Sequence, residues 1–252
     1  MMGKKKHRLG WVPDVPDMRD HRYSLVLPPV LIPRQVDLRS SCPPIEDQGD
    51  LGSCTSFALV GALEFLELQT DKPFIDLSHL FVYYGERVLE GSVLSDSGAM
   101  LRDGIKTLAR QGVCAEQLWP YNVKSFAKKP SPSAFKDAMK RQILSYKRIT
   151  TLEDMRNCLA RGFPFVFGFA VYESFESQEV AHGGIVPMPE MDEKQLGGHA
   201  VLAVGYDMDK DFFIVRNSWN KTWGDQGYFY MPTKYIADPN LCDDFWFISL
   251  ME

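Results

Sequence analysis

A chain of 252 residues, 45% hydrophobic and 24% charged, is long enough to bury one large core or two smaller ones, and its composition excludes a disordered or fibrous polymer. Its net charge of −5 argues against nucleic acid as the main partner, a solvated acidic surface being the plainer account. No stretch approaches the roughly 18–20 consecutive apolar residues that span a bilayer, so no membrane partner is expected.

The N-terminus carries the basic run Lys4-Lys5-Lys6-His7-Arg8, read as a solvated tail. Trp11-Val12-Pro13-Asp14 follows at once, where an export signal would need about 7–15 apolar residues. No such signal is therefore expected; the default compartment is cytoplasmic, and secreted if a signal has been trimmed. Residues 1–35 hold five prolines between Pro13 and Pro33 and little periodicity. Because Pro28-Pro29 and Pro33 favour extended backbone, this stretch reads as a strap or short hairpin on the body, not a domain.

From Thr55 the pattern changes. Phe57, Ala58, Ala62, Phe65 and Leu66 recur at helical spacing, with Val60 and Leu63 widening the stripe into one long buried helix that ends near residues 70–73. Ser78 caps a second helix through Leu80, Phe81, Tyr84 and Val88, stopped at Gly91, and a third runs from Met100 to Arg110. The second half differs. A helix over 151–161, capped by Thr151, precedes β-rich runs at 163–171, 200–207, 212–217, 227–231 and 244–251. Helices first and strands later predict an α+β protein of two lobes with a cleft between them.

Cysteines stand at 42, 54, 114, 158 and 242. The odd number leaves at least one free thiol; an oxidising compartment would favour pairing Cys42 with Cys114 or Cys242, and the connectivity stays open. No Cys-x-x-Cys or Cys/His cluster at zinc-like spacing occurs, so no metal and no cofactor are expected.

One cysteine sits apart chemically. In Gln48-Gly49-Asp50-Leu51-Gly52-Ser53-Cys54-Thr55, a glycine-rich loop enters the apolar helix with Cys54 at the junction. Unpaired N–H groups and the positive end of the helix dipole favour a thiolate there, which a sulfur nucleophile needs. Glycines at 49 and 52 permit a tight turn and the close approach of a substrate. Far along the chain, Gly197-Gly198-His199-Ala200 places a histidine at the mouth of one strand, and Arg216-Asn217-Ser218-Trp219 an asparagine at the end of the next. Paired as an antiparallel hairpin, the two strands bring His199 and Asn217 together, so that the amide fixes the imidazole tautomer and aims the ring at Cys54.

These segments resemble the papain family. Its Q-G-x-C-G-S-C-W, H-A-V-x-x-V-G-Y and N-S-W-G-x-x-W-G-x-x-G-Y motifs appear here, in order, as QGDLGSCT, GHAVLAVGY and NSWNKTWGDQGY. The resemblance covers roughly residues 36–250. It implies a helical lobe over about 36–135 and an antiparallel β-barrel-like lobe over about 136–250. It further implies a peptidase with Cys54 as nucleophile, His199 as base, Asn217 as orienting group, Gln48 in the oxyanion hole and Trp219 shielding the His–Asn bond. Gly98, Gly52, Ser53 and Trp219 are the candidate substrate-binding residues, Gly98 by hydrogen bonds to substrate backbone. Related cysteines have pKa values of about 3–4, so a thiolate–imidazolium pair is expected.

The departures are informative. Leu51 and Asp96 stand where the family would put the two halves of a disulfide, and Thr55 and Asn220 replace an aromatic residue and a glycine. The long helical prodomain of secreted relatives is not expected here, and residues 1–35 read as a structural belt, a plug across the cleft being the alternative. The expected partner is a peptide or protein substrate, cut by a monomeric endopeptidase. The same machinery in an exopeptidase, amidase or peptide ligase, or a catalytically silent binding protein, are the rival readings.

Overall fold

The computed structural model describes residues 7–23, 30–70 and 73–251. Lys4 to Lys6 of the basic run and the Pro28-Pro29 pair lie outside them. The helical half follows its hydrophobic pattern closely. Helix α1 (Cys54–Leu68) is buried at thirteen positions, Cys54 to Leu66, as an all-round apolar helix must be. Helix α2 (His79–Leu89) starts at Ser78, whose hydroxyl accepts the Phe81 N–H at 3.1 Å. Helix α3 (Leu101–Arg110) completes the layer. A short helix α4 (Pro132–Ala138), opened by Ser131 and by proline in its first turn, lay outside the sequence expectation.

The sheet is wider than the sequence implied. Strand β1 (Gln35–Asp37) pairs with β4 (Gln195–Asp207), and β2 (Ser145–Arg148) pairs with β7 (Cys242–Ser249). Between β2 and β3 (Phe165–Tyr172) lies α5 (Leu152–Ala160), capped by the Thr151 hydroxyl as expected. Helix α6 (Gln178–Gly183) precedes β4; β5 (Phe212–Arg216), β6 (Tyr228–Pro232) and α7 (Thr233–Ile236) complete the set. All pairings are antiparallel, in the order β2-β7-β3-β4-β5-β6. The path is open, with β2 and β6 as its ends, so the barrel-like lobe expected from the resemblance is an open sheet. Strand β1 attaches to β4 off this path, so one strand of the sheet comes from the first half of the chain.

Period-two alternation explains the two cores. Phe165, Phe167, Phe169, Val201 and Ala203 face an aromatic layer with Phe213, Phe229 and Phe247. Val166, Ala200, Leu202 and Val204 face the opposite way, onto Leu59, Leu63, Ile105 and Leu108 of α1 and α3. The N-terminal segment lies along both lobes and buries Tyr23 in the aromatic core. All five cysteines are free thiols. Among the described residues no helix is long and apolar enough to cross a membrane.

Candidate active site

Helix α1 begins at Cys54, so its sulfur sits at the helix entrance as the sequence required. Backbone groups of Ala200, the neighbour of His199 on β4, and of Gly10 in the N-terminal segment favour the charged form of the sulfur. The β4–β5 hairpin delivers the second half of the constellation. His199 Nε2 lies 2.8 Å from Asn217 Oδ1, and that oxygen also accepts the Ser218 N–H at 2.8 Å. The amide therefore holds the proton on Nε2 and leaves Nδ1 as the free ring nitrogen. Nδ1 is buried with no hydrogen-bond partner among the described residues. Trp219 stacks on the imidazole at 4.9 Å between centroids and covers the His–Asn bond.

Gln48 is fully buried, its side-chain oxygen fixed by the Ser218 hydroxyl at 2.6 Å. Its amide Nε2–H donates to the carbonyl oxygens of Leu51 (3.0 Å) and Arg8 (2.9 Å). The Ser53 hydroxyl bonds the Tyr121 phenol at 2.6 Å, which in turn donates to the Gln48 carbonyl at 2.8 Å, so Ser53 braces the loop. Where the resemblance would place a disulfide, Leu51 packs with Leu80, Tyr83 and Ala99. The Asp96 carboxylate there accepts the Gly52 N–H at 3.1 Å and the Tyr83 hydroxyl at 2.5 Å. A polar clamp thus does the work of a covalent one.

The N-terminal segment does more than belt the fold: it runs through the cleft. His7 stacks on Trp219 at 4.8 Å, and Arg8 pairs with Asp96 at 2.9 Å. The N–H groups of Gly10 and Trp11 donate to the Gly198 carbonyl, both at 3.0 Å. Ala99 N–H donates to Gly10 O at 2.8 Å, and Val12 N–H to Ala99 O at 3.0 Å. The residue that hydrogen-bonds a chain in the cleft is therefore Ala99, not Gly98 as expected. Gly98, at φ +75°, instead permits close approach, since a Cβ there would meet Gly10 O at 2.0 Å. A Cβ on Gly10 would in turn meet Gly52 O at 2.0 Å.

This cover sets the electrostatics. Cys54 and His199 have no exposed surface. Burial pushes the Cys54 thiol up to about 12, against the pull of its backbone hydrogen bonds. Burial likewise draws His199 down to about 4, against the opposing Asn217 bond. With the segment in place, burial opposes the charged form of both groups, whereas the thiolate–imidazolium pair expected from sequence needs solvent at the site. Its groups are assembled but closed off from solvent.

A thiol at a helix entrance, an oriented imidazole on the neighbouring strand and a buried amide aimed at a carbonyl are the parts of a cysteine-type hydrolase. Comparison with known proteins agrees. A model of the papain family of cysteine proteases matches residues 32–243. An uncharacterized peptidase C1-like protein, L477, of Acanthamoeba polyphaga mimivirus is 47% identical over 213 residues, 81% of this chain and 68% of the viral one. A cathepsin L-like peptidase of Aedes aegypti is 30% identical over 211 residues, 79% of this chain, which spans 58% of the insect protein's length. Among solved structures, xylellain, a cysteine protease from Xylella fastidiosa, superposes with a TM-score of 0.87 at 40% identity, covering 97% of this chain and 96% of that one. The chain belongs to the papain family of cysteine proteases.

Sequence reasoning missed Ala99, Asp96, Ser218 and Tyr121 as parts of the site. Asp96 carried a signal, since it stands where the resemblance lacked a cysteine. Tyr121 carried none, because only tertiary folding brings it beneath Gln48.

Proposed function

We propose that the chain hydrolyses internal peptide bonds through Cys54 and that residues 7–14 hold it latent. The observation that carries this reading is the 2.9 Å hydrogen bond from Gln48 Nε2 to the Arg8 carbonyl, a peptide carbonyl docked on a buried donor one segment away from the sulfur. Once the segment leaves and water enters, the Cys54 proton passes to His199 Nδ1, and Asn217 holds the resulting imidazolium. The thiolate attacks the substrate carbonyl carbon, and the oxygen gains the negative charge opposite Gln48 Nε2 and the Cys54 backbone N–H. Collapse of that adduct expels the amine, which takes the proton from His199. Water, deprotonated by the same ring, then cleaves the thioester and restores the thiol. While the segment is docked, burial holds the thiol against ionisation.

A fluorogenic peptide library tests this with wild type and Cys54→Ala. Turnover in wild type alone supports the reading. Turnover that survives Cys54→Ala overturns it, and acyl transfer to an added amine in preference to water converts it to a ligase.

A further inference from the structure

The stretch that carries the Gln48 amide is tied to the helical lobe by a buried ion pair. Residues 46–48 run antiparallel to residues 218–220, with Asp47 opposite Trp219. Gln48 N–H donates to Ser218 O and Asn220 N–H to Glu46 O, both at 2.9 Å. Side chains alternate along extended backbone, so Glu46 and Gln48 leave on one side and Asp47 on the other. Asp47 pairs with His7 at 3.3 Å, whereas Glu46 Oε2 lies 2.9 Å from Nε2 of His79.

His79 is the first residue of α2 and is buried. The Phe57 ring of α1 packs on it with centroids 3.9 Å apart, and the Tyr121 ring meets it edge-on at 6.4 Å. Tyr121 is the residue whose phenol donates to the Gln48 carbonyl. The Glu46–His79 pair therefore joins the Gln48 stretch to α1, α2 and Tyr121 at one point. A histidine hidden this deeply would ordinarily lose its proton. Burial does pull the ring down, but Glu46, then Glu64 and Glu116, outweigh it and hold His79 at about 9. Burial likewise raises Glu46, and His79 and then Arg216 more than offset it, so its carboxyl sits below its ordinary value. Removing either partner strands a charge away from water.

Resting on the peptidase reading above, we infer that Glu46 and His79 are positioning residues for the Gln48 amide. Their ion pair holds the 46–48 stretch where Gln48 Nε2 meets the developing oxyanion, and that hold fails in alkali as the pair loses its charge. With the ring raised from 6.5 to about 9, the hold is full below about pH 6.5 and is lost as pH rises through 9. Glu64, Asp76, Glu116 and Tyr121 are the other titratable groups around His79, and Arg216 faces Glu46. Replacing His79 separates its part from theirs.

The test uses the full chain, with kcat read at saturating peptide, where substrate outcompetes the docked segment. Alkylation of Cys54 by iodoacetamide is read without substrate. A displaced Gln48 loses the oxyanion and also its bond to the Arg8 carbonyl. His79→Gln should therefore lower kcat about tenfold and raise alkylation about threefold. In a Gln48→Ala background both effects should vanish, because no amide remains to be positioned. The ratio of wild-type to His79→Gln kcat, in which the titration of the dyad cancels, should fall from about ten near pH 6.5 towards about one near pH 10. Glu46→Gln keeps the ring in place and should reproduce the pattern, which covers a His79→Gln chain that fails to fold. Effects undiminished in Gln48→Ala, or a ratio flat with pH, overturn the proposal. Failure to cleave any peptide, with the alkylation coupling between His79 and Gln48 intact, overturns the peptidase reading alone.

Discussion

Replacing Gly10 by alanine should open the cleft without touching a catalytic group. The added Cβ would come 2.0 Å from the Gly52 carbonyl oxygen, a contact that side-chain rotation cannot relieve because both partners are backbone-anchored. Gly52 is itself held by Asp96, so the lighter N-terminal segment must move. Overpacking of this kind costs about 1–3 kcal/mol, which shifts a docked-to-open equilibrium by about 5- to 150-fold. Movement there also strains the Ala99–Gly10 and Gly10–Gly198 hydrogen bonds on either side. Two assays read the same open fraction: alkylation of Cys54 by iodoacetamide and hydrolysis of a fluorogenic peptide. Alkylation and kcat/KM should rise by the same factor within error, and, because a fast-docking segment competes with substrate, the gain should come from a lower apparent KM with kcat unchanged. Unchanged rates would refute the claim that residues 7–14 block the site. A rise in alkylation without a rise in hydrolysis would show that the segment covers the sulfur yet does not hold the enzyme latent.

Other consequences follow from the same geometry. In the Gly10→Ala background, His199→Ala should lower kcat/KM by at least about 10³-fold, whereas Trp219→Ala, which removes only the cover of the His–Asn bond, should cost about tenfold; comparable losses would contradict the assigned roles. Gln48→Ala should cost about 10²–10³-fold in kcat, the range for a lost oxyanion donor, and a change confined to KM would show that the amide only binds. Docking of the segment should also depend on pH. Asp14 is raised from 3.8 to about 7, first by burial and then by Asp244, against the hydrogen bonds it accepts from Arg102 and Trp246 and the Arg102 charge. Released into water, it returns to the ordinary carboxylate range, so the docked form binds the extra proton. Its contribution to docking is full below about pH 4 and is lost as pH rises through 7. Arg102, Arg148, Asp20 and Asp244 are the charged groups around it, and Asp14→Asn isolates its part. Between pH 5 and 8, alkylation corrected for thiolate content should rise more steeply in wild type than in Asp14→Asn; parallel profiles would exclude Asp14.

The sequence by itself determined the local parts of this protein. Cys54 at the head of an all-apolar helix, Ser78 and Thr151 as caps, and His199 and Asn217 on consecutive strands are features within one or two elements, governed by periodicity, capping and hairpin pairing. Those forces act over a few residues and leave a direct trace in the order of amino acids. The open sheet was not legible, because closure depends on whether β2 and β6 meet, and neither strand carries a signal of its partner. The path of residues 7–14 was equally hidden. It is decided by gaps at Gly98, Gly168 and Gly198 and by donors and acceptors on Gln48, Ala99 and Asp244, which come from five separate stretches of chain. Only their assembly makes a groove shaped for Gly10 and Trp11. The burial of the dyad follows from the same cause: a thiol at a helix entrance is primed for ionisation by its local dipole, and the tertiary cover closes it off from solvent.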